Sequence, residues 1–265
     1  MFALDAATGQ LRWKFDPQVQ HNKAFQHMTC RGVSYHATKP GAVTADCATA
    51  PGDCPERIFV PTNDGRMFAL DAQSGSPCAS FGDHGQIDLK EGSEVQTLGF
   101  YEGTSPPVVT DKVLIVGGAV IGNYSDKVPS GVIRGFDIYS GRLIWAFDAS
   151  NPDPNGELAV KWCDADGISA VDENLGLVYV PPGSSSPDIW GGGRSPDKEH
   201  YDSALIALDI TTGKLRWSFQ NVHHDVWDMD MPSQPSRVDL RSNGRHHARD
   251  LYPGKSRRRA ANRRR

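Results

Sequence analysis

The sequence predicts an all-β fold built from the four-stranded blades of a β-propeller, and three observations carry that prediction. One motif recurs four times at a nearly constant interval. Each copy has the pattern of a β-hairpin, and each later copy follows another short apolar run of strand length. Together they give about four strands per period, which is the content of one blade.

The copies are FALDAATGQLRWKFD from Phe2, FALDAQSGSPCASFGD from Phe68, GFDIYSGRLIWAFD from Gly135 and IALDITTGKLRWSFQ from Ile206. Their aspartates, Asp5, Asp71, Asp137 and Asp209, are 66, 66 and 72 residues apart. A glycine follows each after four residues, at Gly9, Gly75, Gly141 and Gly213, and a tryptophan after eight in three copies, at Trp13, Trp145 and Trp217. Asp-x-x-(Thr/Ser)-Gly suits a tight turn, because the Asp and Thr side chains bond nearby backbone and glycine accepts positive φ. The preceding runs are Arg57–Pro61, Val113–Val116 and Gly176–Val180, and Asn63-Asp64-Gly65 is a hairpin signal between two strands.

A blade is usually shorter than 66 residues, so each period should carry an insertion of about 20 residues, collected on one face where binding sites gather. The tryptophan should fill the wedge between adjacent sheets. Because the first copy starts at its third strand, and three and a half units do not close a ring of six to eight blades, the chain is expected to be part of a longer protein. Residues 1–236 are assigned to this partial propeller.

Charge divides the chain at the same place. Of 28 Lys and Arg, 11 fall in residues 237–265, against 2 of 32 Asp and Glu, so the body carries about −13 and the end about +9. That end has few apolar residues and follows an abrupt change of composition. It reads as a basic tail, disordered or translated out of frame, and no nucleic-acid partner is expected. No run of about 20 apolar residues suggests a membrane-spanning helix. The five cysteines contain no CxxC pair. Cys47 and Cys54 bracket a short loop and are a candidate disulfide in an oxidising compartment, the alternative being five free thiols.

The segments between repeats are more specific: Phe25-Gln26-His27-Met28-Thr29-Cys30-Arg31-Gly32, Thr104-Ser105-Pro106-Pro107, Ser130-Gly131-Val132-Ile133-Arg134-Gly135-Phe136-Asp137, Ser186-Pro187-Asp188-Ile189-Trp190-Gly191-Gly192 and His223-His224-Asp225-Val226-Trp227-Asp228. With the repeat, they resemble the membrane-bound, pyrroloquinoline quinone (PQQ)-dependent glucose dehydrogenases and their quinate and polyol relatives, over about residues 2–244. The resemblance implies roughly half of an eight-bladed quinoprotein ring. It also implies a site facing the periplasm on the inner membrane, with anchor helices absent from this chain. The activity implied is oxidation of glucose to gluconolactone, or of a related sugar or cyclic polyol, by hydride transfer to PQQ with electrons passed to ubiquinone.

Such chemistry needs a base for the hydroxyl proton, an electron-poor quinone for the hydride and positive charge to stabilise the reduced quinone. By resemblance Asp228 is the catalytic base, and His27, Arg31, His224 and Ser186 belong to the cofactor site. Lys255 faintly echoes a quinone-contacting lysine within the tail. Calcium or magnesium is implied at Asn123, where the family's Asp-Asn pair is reduced to Gly122-Asn123. A shortened stretch near Asn155–Asp164 departs from the family pattern at the pocket. The alternatives are a non-catalytic propeller serving as an interaction platform and a metal site built from His223, His224, Asp225, Asp228 and Asp230. An incomplete ring, with unpaired sheet edges, is expected not to turn over substrate unaided.

Overall fold

The computed structural model describes residues 1–25, 31–92, 97–121, 131–149, 169–231, 233–242 and 245–252, those from 237 on by their backbone. The first repeat forms a hairpin of β1 (Phe2–Leu4) and β2 (Leu11–Lys14). A four-stranded antiparallel sheet follows, made of β3 (Ser34–Ala37), β4 (Glu56–Pro61), β5 (Arg66–Asp71) and β6 (Gln86–Asp88). Next come β7 (Tyr101–Glu102), β8 (Val108–Val109), β9 (Val113–Val116), β10 (Ala119–Val120), β11 (Ile133–Asp137) and β12 (Leu143–Phe147). Here β8, β9, β11 and β12 make the third sheet, and β7 pairs with β10 beside it. The fourth sheet is β13 (Ala170–Asp172), β14 (Leu177–Val180), β15 (Ala204–Asp209) and β16 (Leu215–Gln220), with helix α1 (Pro196–Tyr201) inserted before β15. The sheets are propeller blades, as the repeat predicts.

The hairpin turns are alike in all four copies. Asp5 Oδ1 accepts hydrogen bonds from the amides of Ala7 and Thr8 and from the Thr8 hydroxyl at 2.9–3.1 Å. Asp71, Asp137 and Asp209 repeat the set. The glycines that close these turns have φ between +68° and +74°, a conformation in which any other residue is strained.

Alternation along the strands sends side chains to both faces, so the cores lie between sheets. Val178, Val180, Ile206 and Leu208 pack with Val113, Ile115 and Trp145 of the third sheet, whereas Leu177, Tyr179, Leu205 and Ala207 pack on the other side with Trp217 and Met231. The tryptophans fill the wedges. Trp13 Nε1 donates to Ala72 O at 3.0 Å, and Trp145 Nε1 to Ile210 O at 2.8 Å. Each ring lies flat on the next repeat's turn glycine, where a Cβ would come within 2.5 Å of it.

The second repeat has Ala79 at the tryptophan position, and a different device joins it to the third. Arg57, fully buried, donates to the carbonyls of Ile138 and Tyr139 at 3.3 and 2.8 Å and stacks on the Tyr139 ring. Ile138 O is the counterpart of the carbonyls that the two indoles use.

Two expectations are corrected. The disulfide is Cys54–Cys78, with Cα atoms 5.8 Å apart, and Cys47 is free and exposed. The reason is spatial: the insertions before β4 and after β5 leave the same end of the second sheet and are stapled together there. Hence the insertions do not all lie on one face either. From the boundary at 236, β17 (Ser236–Ser242) and β18 (Arg245–Tyr252) pair as an antiparallel hairpin.

Candidate functional site

Strand direction alternates across each sheet, so connections from second to third strand, and from fourth strand to the next sheet, leave by one end. The repeat turns occupy the opposite end. On the first end lie Arg31, before β3; Ser186, between β14 and β15; and His224 and Asp228, after β16. His27, Asn123 and Lys255 lie outside the described residues.

Two loops of the fourth sheet build the densest polar cluster. In the first, residues 181–203, Ser184 and Ser185 are buried, and the N-cap Ser195 with Pro196 at the first turn starts helix α1. The helix seats Tyr201 edge-on against Phe147, its C-cap Asp202 turns inward, and the partly exposed Glu199 faces the second loop. Asp202, fully buried, accepts from the Ser185 amide at 2.5 Å and from Arg194 at 2.8 Å, while Arg194 also donates to Asp188 O at 3.0 Å. Burial lifts the Asp202 carboxyl to about 6, against the Ser185 amide and Arg194, which lower it.

The second loop, residues 221–235, winds around Asp225, which has no solvent exposure. Asp225 accepts from the Ser203 hydroxyl at 2.5 Å, the Ser184 hydroxyl at 3.1 Å, and the amides of Trp227 and Met229 at 3.0 and 2.9 Å. Burial raises this carboxyl, but the donors, Ser203 foremost, outweigh burial and hold it below its ordinary value. Three non-glycine residues of the loop take left-handed backbone, His224 at φ +52°, Asp228 at +55° and Asp230 at +44°. Each such residue costs about 1–3 kcal/mol unless its surroundings enforce it.

Asp228 thus sits on a tight, enforced turn between Trp227 and Met229, with the Trp227 ring 67% exposed. Across from it is Asp188, lifted to about 6 by burial first and then by the charges of Asp228 and Asp230. The carboxyl of Asp230 is raised too, by burial before the charges of Asp228 and Asp225. The structure therefore brings together Asp228, Ser186 and the His224 segment. The Ser186 hydroxyl is buried with no hydrogen-bond partner among the described residues. His224 turns to Glu199 at 3.1 Å, with its ring over Gly191, while His223 turns to Gln220 at 2.9 Å, so the adjacent histidines do diverge. Arg31 is anchored on other loops, through its amide to Thr104 O at 2.9 Å and its guanidinium to Ser105 Oγ at 3.3 Å. That contact joins two motifs that lie apart in sequence.

A carboxyl on an enforced turn, a second carboxyl lifted to about 6 and exposed indole faces suit proton abstraction beside a planar ligand. Comparison with known proteins decides the family. Residues 1–256 match the β-propeller domain of the glucose/ethanol/alcohol dehydrogenases that carry the PQQ repeat. The chain belongs to this family. It is 47% identical over 252 residues to the quinoprotein glucose dehydrogenase of Gluconobacter oxydans, covering 91% of this chain and 31% of that one. It is 38% identical over 256 residues to the quinate/shikimate dehydrogenase (quinone) of Acinetobacter baylyi, covering 91% and 31%. A solved quinohemoprotein alcohol dehydrogenase from Pseudomonas putida HK5 superposes with a TM-score of 0.66 at 23% identity, over 94% of this chain and 35% of that one, which establishes the shared fold. The chain spans about a third of the length of the curated relatives it matches.

For a PQQ-repeat propeller the polar loops are of the right chemistry. PQQ is a planar, multiply charged acceptor, and the unpartnered Ser186 hydroxyl, the Arg31 cation and the exposed Trp190 and Trp227 rings offer a donor, a charge and stacking faces. Among the described residues no three carboxylate, imidazole or thiolate groups are placed to hold a metal ion. Asp188, Asp202 and Arg194 were given no role by sequence reasoning. Only Asp188 had a signal, its place in the Ser186–Gly192 motif.

Proposed function

We propose that this chain carries the proton-accepting part of a PQQ-dependent dehydrogenase acting on glucose or a related sugar or cyclic polyol. The observation that supports this most directly is Asp228, held on an enforced turn at the loop end of the propeller, beside the exposed Trp227 and near enough to Asp188 to raise its carboxyl. PQQ, when bound, supplies the hydride acceptor. Asp228 takes the proton of the substrate hydroxyl. Asp188, with its carboxyl at about 6, exchanges protons with the Asp228 site near neutral pH. Arg31 and Ser186 are assigned to the cofactor's polar edge, with His27 and Lys255 on the same side of the proposal. Calcium or magnesium at Asn123 and ubiquinone as electron acceptor belong to the same reading.

A periplasmic location, at the face of the inner membrane, is supported by the Cys54–Cys78 disulfide, since such bonds persist in oxidising compartments. Among the described residues no helix is long and apolar enough to cross a membrane. The test is a titration of the purified chain with PQQ, followed by quenching of tryptophan fluorescence. The expected result is saturable quenching that Asp228→Asn leaves intact, because that residue serves the substrate. A folded chain that shows no quenching contradicts the proposal.

A further inference from the structure

We infer that Asp225, together with the hydroxyls of Ser203 and Ser184, is the positioning unit of this site: it fixes the turn that carries Asp228 and locks that turn to the loop bearing Ser186 and Asp188. The inference rests on the reading of Asp228 as the proton acceptor and adds what holds it in place. Three observations carry it.

First, the amides that Asp225 accepts, Trp227 N at 3.0 Å and Met229 N at 2.9 Å, flank Asp228 on either side. They draw the backbone around a single buried carboxylate, which is what keeps Asp228 at φ +55°. Second, the other two donors come from outside the turn. Ser203 Oγ reaches Asp225 at 2.5 Å from just before β15, and Ser184 Oγ at 3.1 Å from the start of the connection after β14. Ser203 itself has φ +44° and no exposure, so its hydroxyl is set by a backbone held as tightly as the turn. Third, the lock is doubled one residue further on each side. Ser184 N donates to Asp230 at 2.7 Å and Ser185 N to Asp202 at 2.5 Å, so consecutive amides of one loop are held by carboxylates of two different segments. A buried carboxylate with four donors is a rigid joint, because losing any donor leaves a desolvated charge.

Asp188 reports on the joint, since its carboxyl is raised in part by Asp228 and Asp230. The experiment is a carbon-13 carboxyl titration of the aspartate-labelled chain, with hydrogen exchange at the Trp227 and Met229 amides. Asp228→Asn calibrates the midpoint, and a fall for Asp188 of about one pH unit is expected. Asp225→Asn and Ser203→Ala are expected to lower it in the same sense, as the turn releases Asp228. Exchange at the two amides should quicken at least about tenfold in Asp225→Asn, the factor that a lost charge-assisted hydrogen bond implies. Ser203→Ala keeps the Asp225 charge and decides the matter if Asp225→Asn fails to fold. An unmoved midpoint in both variants, or a shift in Asp225→Asn alone, overturns the inference, the latter because it would mean lost charge instead of lost position. Failure of PQQ to bind the wild-type chain would count against the functional reading and leaves this outcome separate.

Discussion

Asp188 and Asp202 are acids whose carboxyls stand near 6 in the fold, above the ordinary 3.8. The folded chain therefore binds their protons more tightly than the unfolded chain does, and stability rises as pH falls through about 6 toward the ordinary value. His36 works in the opposite direction. It is buried, with Nε2 3.2 Å from the Tyr139 hydroxyl, and burial foremost lowers it from 6.5. The unfolded chain then takes its proton first, and stability is lost as pH drops below about 6.5. Thermal melts between about pH 5 and about pH 7 should separate the two: Asp188→Asn removes part of the gain on acidification, and His36→Gln removes the loss. Opposite outcomes would mean that the two burial assignments are wrong. Asp228 was legible in the sequence because it stands in a distinctive run with two histidines and a tryptophan. The burial of Asp188 and Asp225 was not, although Asp225 stands in the same run and Asp188 in the Ser186–Gly192 motif, since an aspartate in a polar loop has the same sequence signature whether solvated or buried, and only the fold decides which.

At the scale of the element, the repeat motif codes both a turn and a joint. Its Asp and Thr or Ser build the turn, its glycine offers a flat floor, and its tryptophan docks on the floor of the next repeat. Gly213→Ala meets both penalties, a positive φ of +68° and a Cβ 2.5 Å from the Trp145 ring, and is expected to destabilise by about 2–4 kcal/mol in urea unfolding. Gly9→Ala, at φ +70° with open space around it, is expected to lose only about 1 kcal/mol. Equal losses would mean that the indole contact contributes nothing. These joints were readable from spacing alone, whereas the one between second and third sheets was not. There the tryptophan position holds Ala79, and the replacement donor, Arg57, comes from a different strand. The disulfide was misread for a similar reason, because Cys47 and Cys54 are neighbours in sequence while Cys54 and Cys78, 24 residues apart, are neighbours in the sheet. Alkylation without reductant, read by mass spectrometry, is expected to label Cys47 and spare Cys54 and Cys78. Reduction should then lower stability by about 3 kcal/mol.

For the whole molecule, antiparallel alternation separates two kinds of surface. The conserved geometry of the turns lies at one end, and long polar connections, which carry Arg31, Ser186, Asp188 and Asp228, lie at the other. The four-stranded period was evident in the sequence, since strands and turns follow local pattern. The placement of the loops relative to one another was not, because it depends on buried pairs such as Asp202 with Arg194 that join segments without periodicity. The central claim is that the loop end of this propeller takes a planar quinone against its indoles. Oxidative footprinting of the chain with and without PQQ, resolved residue by residue, tests it directly. Trp190 and Trp227 are 60% and 67% exposed and should react freely alone, then be protected by PQQ, while exposed Phe2 on the first hairpin stays reactive throughout. Binding of PQQ that leaves both tryptophans as reactive as before would contradict the account.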